Sequence, residues 1–83
     1  MTRMSCRYNG DLHCSAEHGP SGVSLSTDAP ADHDGRGESF SPTDLLATAL
    51  GTCILTVMGI TAKRRNWSVT GAEASVEKIM TPT

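Results

Sequence analysis

The chain has 83 residues, which allows one domain with a modest core. Seven basic and nine acidic residues give a formal net charge of −2, and no basic stripe with interleaved aromatic residues is present. The chain therefore lacks the basic surface that is typical of nucleic-acid-binding proteins. With one Phe, one Tyr and one Trp, the chain also has little aromatic bulk for covering a large apolar surface.

The N-terminal part of the chain has the alternating pattern of a three-stranded antiparallel meander. Apolar or small side chains alternate with polar ones over residues 4–17, interrupted by Asn9-Gly10, which is typical of a hairpin turn. A polar turn follows, and residues 23–27 repeat the alternation as a third strand. We expect one face of this sheet to be buried.

A polar loop rich in Gly, Asp and Pro covers residues 28–40. Connections of this length without regular structure are often functional. Arg36 is the only Lys or Arg in the loop, and its acidic residues, Asp28 and Glu38 among them, are interpreted as facing solvent.

The longest apolar stretch, residues 41–65, predicts a single helix. Ser41 stands at the N-cap position, Pro42 at the first helical position, and Asp44 three residues after the cap. Three consecutive cations, residues 63–65, end the helix where its dipole favours positive charge. Because residues 45–62 carry no charge, we expect this helix to be buried in a core.

The rest of the chain contains too few large apolar residues to cover such a helix. The sequence therefore predicts cover from a partner subunit or from a part of the protein absent from this chain. Four threonines and two glycines within residues 45–62 disfavour a membrane span. Residues 67–80 alternate again and predict a further strand. No apolar leader follows Met1, which favours a cytoplasmic protein with reduced thiols.

Cys53 lies about three turns into the predicted helix. A helical wheel places on its face five apolar residues: Leu46, Ala49, Leu50, Val57 and Ile60. A cysteine becomes a nucleophile when a nearby cation stabilises the thiolate, and Arg36 is the best local candidate. A lone cysteine on an apolar helix face is also commonly an inert small hydrophobe, so both interpretations stay open.

The remaining cysteines and histidines predict neither a disulfide nor a metal site. Cys6 and Cys14 would face each other across a three-residue hairpin loop but not across a two-residue one, and we favour unpaired thiols. The three histidines have no metal-ligand spacing with the cysteines, so no metal or other cofactor is expected. They are His13, His18 and His33.

The loop GRGESFSP, followed by SPTDLLATALGTC, resembles the OsmC/Ohr family of osmotically inducible and organic hydroperoxide resistance proteins. In that family a Pro-x-Glu/Asp-Leu-Leu segment opens the helix, and a cysteine stands eleven residues after the proline, as Cys53 does after Pro42. The sequence Ala-Leu-Gly-Thr before the cysteine is similar to the OsmC-like branch. The resemblance covers about residues 4–80 and implies the N-terminal half of a member, one domain over residues 1–83 that is incomplete at its C-terminus.

The resemblance implies an α+β (two-layer α/β) fold in which a meander, a long central buried helix and a further strand form an intertwined homodimer. It also implies that Cys53 is a peroxidatic cysteine that attacks an organic hydroperoxide and becomes a sulfenic acid. A second cysteine then forms a disulfide that a dithiol reduces. Arg36 would keep the thiolate ionised and Asp44 would hold the arginine, with no cofactor, nucleic acid or membrane involved.

The sequence departs from the peroxidase pattern at three points. The N-terminal arginine of those branches has no certain match here, so Arg36 is assigned only from its place in the loop before the helix. Thr43 directly follows the proline where those branches have glutamate, so Asp44 stands one position later. The family's second cysteine belongs to its C-terminal half, and Cys6 and Cys14 do not match it. These departures also favour a non-catalytic OsmC-like protein in which Cys53 is packed and the site holds a small apolar ligand or nothing.

Overall fold

The computed structural model describes residues 1–81 of the chain. The chain divides into two compact units, Met1–Pro42 and Thr43–Thr83. The first contains a three-stranded sheet and the loop after it, and the second contains nearly all of one long helix and the segment that follows. This combination confirms the predicted α+β class.

The sheet of the first unit is an antiparallel meander in the order β1-β2-β3. Its strands are β1, Met4–Gly10, β2, His13–His18, and β3, Ser24–Asp28. The predicted three-stranded topology is therefore confirmed. In the loop after β3, a single 3-10 turn spans Ala31–His33.

The hairpin between β1 and β2 turns at Asp11 and Leu12, so the predicted turn at Asn9-Gly10 is wrong by two residues. Asp11 and Leu12 have φ of 53° and 61°, the pair of positive values that matches the twist of the flanking strands. Gly10 has φ of 92°, and the strand register shifts between Tyr8 and Gly10. The glycine thus permits a bulge that moves the turn further along the chain.

This register separates the two cysteines of the hairpin. Cys6 lies opposite Ala16, and Cys14 lies opposite Tyr8. Both cysteines are free, as predicted.

Burial in the sheet is confined to the end of β3. Thr27 and Asp28 are buried, whereas every residue of β1 except Gly10 is exposed. The prediction of one buried sheet face is therefore wrong for β1 in the single chain, because alternation along a strand buries a face only where another layer packs on it.

The helix α1 spans Pro42–Arg64, which confirms the predicted element and its first residue. Its C-terminal end is closed by Asn66, whose φ of 57° reverses the chain. The Trp67 N–H donates to the Ala62 carbonyl at 2.8 Å, and the Asn66 N–H donates to the Lys63 carbonyl at 3.4 Å. These bonds form a Schellman motif, with asparagine in the position that glycine most often takes.

The segment after α1, residues 67–81, returns along the helix without forming a strand. Trp67 and Val69 line a hollow near the end of α1, Val76 reaches Gly51 in its middle, and Lys78 reaches Asp44 in its first turn. The predicted strand over residues 67–80 is therefore wrong. Alternation favours an extended chain, but a strand also needs a hydrogen-bonded neighbour, and no strand pairs with this segment in the described residues.

Two glycines of α1 differ in what surrounds them. A Cβ at Gly51 would lie 2.7 Å from Val76 Cγ2, whereas a Cβ at Gly59 would meet nothing within 4 Å. We expect Gly59→Ala to raise the free energy of unfolding by about 0.5–1 kcal/mol, since alanine is the better helix former. Gly51→Ala should give no such gain, because its methyl group displaces Val76. Equal effects of the two substitutions in urea unfolding would contradict this packing.

Within the single chain most of α1 is exposed, as expected if its cover comes from outside this chain; whether the assembled protein buries it stays a prediction. Only Gly51 and Ala62 of α1 are buried, and both lie on the side opposite Cys53. Among the described residues, α1 is the one helix long and apolar enough to cross a membrane, with a mean hydropathy of 1.9. That property rests on length and composition alone, and the core helices of soluble proteins share it.

Candidate functional site

Cys53 lies on an exposed apolar surface of α1. We call this surface the Cys53 face. All of its members are exposed: Leu46, Ala49, Leu50, Cys53, Val57 and Ile60. Leu46 and Leu50 are 74% and 61% exposed, and Cys53 is a free thiol. In soluble proteins, exposed apolar surfaces of this kind often belong to sites of association or ligand binding.

Asp44 belongs to the first turn of α1, where a negative charge suits the helix dipole. Its Oδ1 lies 2.8 Å from Lys78 Nζ, and Lys78 also donates to Thr43 Oγ1 at 3.1 Å. Nine residues separate Asp44 from Cys53, or about 13 Å along the helix axis. The structure therefore does not bring Asp44 beside Cys53 on α1.

Arg36 lies in the loop after β3, within the first unit. Its Nη2 is 3.1 Å from Asp11 Oδ2, and both side chains are about two-thirds exposed. An exposed pair of this kind contributes at most about 1 kcal/mol, and less in salt. This ion pair is thus weak enough for Arg36 to leave Asp11 and pair with another anion.

Asp28, the last residue of β3, anchors this loop. Its side chain is fully buried, and its Oδ2 accepts hydrogen bonds from the backbone N–H groups of Arg36 at 3.2 Å and Glu38 at 3.1 Å. Its backbone N–H donates to the Phe40 carbonyl at 3.1 Å. The interpretation of Asp28 as solvent-facing is therefore wrong, whereas Glu38 is exposed as predicted.

His13, the first residue of β2, lies opposite Asp28 in the β2–β3 register. Its Nδ1 is 2.6 Å from the Asp11 carbonyl oxygen. Its Nε2 is 3.2 Å from Glu38 Oε1 and 3.5 Å from Asp28 Oδ1. The sequence does not predict this cluster, because its members are far apart in the chain. The alternating meander predicts only that β2 and β3 are in contact.

The cluster changes how two of its members titrate. The hydrogen bond to the Asp11 carbonyl, together with the negative charges of Asp28 and Glu38, raises the pKa of His13 above its ordinary 6.5. The Glu38 N–H, with His13 and the Arg36 N–H, lowers the pKa of Asp28 below its ordinary 3.8. Burial opposes both shifts without reversing them.

A protein-family model described as OsmC-like protein matches residues 35–83. This chain belongs to the OsmC-like family. The crystal structure of a Psychrobacter arcticus protein, described as an osmotic stress induced and detoxification response protein, is similar to it, with 48% identity and a TM-score of 0.92. That match covers 98% of this chain and 59% of the other, so this chain spans about three-fifths of its neighbour's length. No curated protein gives a significant match.

The OsmC-like match includes Arg36, Asp44 and Cys53, all three of the predicted site residues. It also includes Glu38, whereas His13 and Asp28 precede it. Two of the three members of this cluster thus come from strands that precede the segment matched by the OsmC-like model.

The cluster of His13, Asp28 and Glu38 gives the stability of this OsmC-like protein a predictable pH dependence. The raised pKa of His13 stabilises the fold below pH 6.5 and ceases to do so as pH rises through the folded-state value. The lowered pKa of Asp28 stabilises it above pH 3.8 and ceases to do so as pH falls through its folded-state value. Both contributions are therefore present together between these two pH values.

We expect His13→Asn to lower the melting midpoint more at about pH 5.5 than at about pH 8.5, with a chelator present. Thermal unfolding followed by circular dichroism measures both differences. His33→Asn, in the same polar region but exposed, is the matched control. An equal loss at both pH values for His13→Asn would show that the ion pairs do not stabilise the fold.

Proposed function

We propose that this OsmC-like protein acts in stress defence by reducing organic hydroperoxides, with Cys53 as the attacking thiol. A stress-defence role is supported by the family and by the neighbour's description as an osmotic stress induced and detoxification response protein. One observation supports the assignment of Cys53 as the attacking thiol. Cys53 is exposed on an apolar helix face, eleven residues after Pro42, within the segment that matches the family.

The surroundings of Cys53 suit a substrate with an apolar body. Leu50 and Val57 flank it on the same face and are 61% and 56% exposed. An alkyl or aryl hydroperoxide would bury its hydrocarbon against such side chains, which favours it over hydrogen peroxide by about 0.8 kcal/mol for each methylene group buried. Organic hydroperoxides are therefore the proposed substrate class.

In the proposed reaction, the Cys53 thiolate attacks the terminal oxygen of the hydroperoxide. The S–O bond forms as the O–O bond breaks, and the alkoxide leaves with a proton as an alcohol. The sulfenic acid then condenses with one thiol of a dithiol, releasing water and forming a mixed disulfide. The second thiol displaces Cys53 and leaves an oxidised dithiol, so one peroxide is reduced for each dithiol oxidised.

A second copy of the chain is the proposed cover for the Cys53 face. An exposed row of leucine, valine and isoleucine side chains is unfavourable in water, and a homodimer would bury it on both copies. Desolvation strengthens ionic contacts, so a covered pocket would also make a cation near the thiolate more effective. Arg36 is the proposed cation, and Asp44 the acid proposed to orient it.

The test is turnover of cumene hydroperoxide with dihydrolipoamide or dithiothreitol as the dithiol. We expect consumption of one dithiol per peroxide, and a higher kcat/KM for cumene hydroperoxide than for hydrogen peroxide. The proposal fails if the protein adds nothing to the rate at which the dithiol alone reduces the peroxide.

The second candidate is a non-catalytic OsmC-like binding protein. It is favoured by the ion pairs of the two proposed helpers, since Arg36 pairs with Asp11 and Asp44 pairs with Lys78. In this case Cys53 is packed when the Cys53 face is covered, and alkylation of the native protein by iodoacetamide is slow. Labelling of Cys53 as fast as that of an unfolded thiol would count against this candidate.

A further inference from the structure

We propose that His13, Asp28 and Glu38 form a binding site for a divalent transition-metal ion, with Zn²⁺ as the best fit. The three residues come from the start of β2, the end of β3 and the loop that follows. One ligand atom from each residue lies within 4.8 Å of the other two. All three belong to the first unit, whereas Cys53 belongs to the second, and metal binding does not depend on the proposed peroxide chemistry.

Two of the three spacings between ligand atoms, those from His13 Nε2 to each carboxylate, match tetrahedral coordination. Bonds of about 2.0–2.1 Å to nitrogen and oxygen place the ligand atoms of a tetrahedral Zn²⁺ site about 3.3 Å apart. Nε2 of His13 lies 3.2 Å from Glu38 Oε1 and 3.5 Å from Asp28 Oδ1. One imidazole and two carboxylates are also the kind of ligand set that zinc accepts, whereas Mg²⁺ prefers oxygen alone.

The other ring nitrogen of His13 fixes its orientation. With its proton on Nδ1, the ring donates to the Asp11 carbonyl oxygen at 2.6 Å and presents the Nε2 lone pair to the two carboxylates. A histidine that binds a metal almost always donates its second N–H to a carbonyl or carboxylate in this way. Without a metal, the same Nε2 binds a proton instead.

Asp28 supplies the independent observation that points to a ligand. Its side chain is fully buried, and its Oδ1 accepts no hydrogen bond from any described residue. Its Oδ2 is fixed by the two backbone N–H groups, so Oδ1 is held toward His13 Nε2. When the His13 ring is neutral with its proton on Nδ1, this buried oxygen faces the Nε2 lone pair at 3.5 Å instead of a donor, which is costly, and a bound cation would satisfy both groups.

A bound ion would connect β2 and β3 to the loop that carries Arg36. Three protein ligands would leave the fourth tetrahedral position for water. Because Glu38 is two residues from Arg36, coordination would hold this part of the loop against the sheet. Binding to the folded state alone would stabilise the fold by mass action.

The test is titration of the full chain with ZnCl₂ by isothermal calorimetry, with all three cysteines changed to serine to remove competing thiols. We expect one Zn²⁺ per chain and a melting midpoint that rises with zinc concentration. Glu38→Gln and His13→Gln should each weaken the affinity at least about tenfold. The matched control, His33→Gln, should bind as the parent does.

Glu38→Gln is the decisive variant, because the Glu38 side chain is 55% exposed and its backbone N–H, not its carboxylate, holds Asp28. At about pH 8.5, where the His13–Glu38 ion pair no longer contributes, its circular dichroism and melting midpoint without metal should match those of the parent. Zinc binding that is undiminished in Glu38→Gln, or the absence of binding to the parent at 100-fold molar excess of ZnCl₂, would overturn the proposal.

Discussion

Replacement of Cys53 by serine should lower the dithiol-dependent reduction of cumene hydroperoxide by about 10³-fold or more. Serine has nearly the same size, so the exposed surface of α1 should be unchanged. A neutral hydroxyl, however, is a far weaker nucleophile than a thiolate, and no sulfenic acid can form. The comparison is made by kcat/KM, which reports loss of transition-state stabilisation.

Cys6→Ser is the matched control for this substitution. Cys6 is also an exposed free thiol, but it lies on β1, which precedes the segment that matches the family. Its replacement should leave kcat/KM within about twofold of the parent. Equal rates for the parent and Cys53→Ser would remove Cys53 from the chemistry, whatever the total activity of the protein.

The second large effect concerns association through the Cys53 face. We expect the chain to associate in solution, and Leu50→Glu to shift it toward monomer by on the order of 10²-fold in Kd. A buried leucine contributes about 1.5–3 kcal/mol, and a glutamate buried in its place would lack a partner charge. Sedimentation velocity over a concentration series measures the shift.

Val23→Glu is the control for a general effect of charge on solubility. Val23 is 65% exposed, similar to the 61% of Leu50, but it precedes β3 in the first unit. The substitution should leave the association constant nearly unchanged. A monodisperse parent monomer with a cooperative melting transition would contradict the idea that the Cys53 face requires cover.

Local signals in the sequence predicted the regular elements well. Pro42 at the first helical position and the cations at residues 63–65 define both ends of α1. The alternation in residues 4–17 and 23–27 likewise predicts the meander. These features depend on residues close in sequence, for which propensity, capping and side-chain periodicity are informative.

Predictions that required knowledge of distant neighbours were less successful. Residues 67–80 alternate as a strand does, but Lys78 and Val76 contact α1 instead. Asp28 resembles other loop acids in sequence, yet two backbone N–H groups from the same loop hold it buried. No local pattern distinguishes an acid that faces solvent from one that organises a loop.

Of the candidate site, the sequence predicts only Cys53 itself, from its spacing of eleven residues after Pro42. The exposure of Cys53 on an apolar face agrees with a surface that needs a partner, since the side of α1 carrying Gly51 is covered by the chain itself. The proposed roles of Arg36 and Asp44 would depend on groups brought together by association, which a single sequence does not reveal. In the single chain Arg36 pairs with Asp11 and Asp44 pairs with Lys78, so the proposed roles would require both to change partners.

The most direct test of the central claim is competition among the three cysteines for a limiting oxidant. The native protein is treated with less than one equivalent of cumene hydroperoxide, sulfenic acids are trapped with dimedone, and the adducts are located by mass spectrometry. We predict that Cys53 carries nearly all of the adduct, with Cys6 and Cys14 as internal controls. Oxidation of Cys6 or Cys14 to the same extent as Cys53 would contradict a peroxidatic role for the thiol on α1.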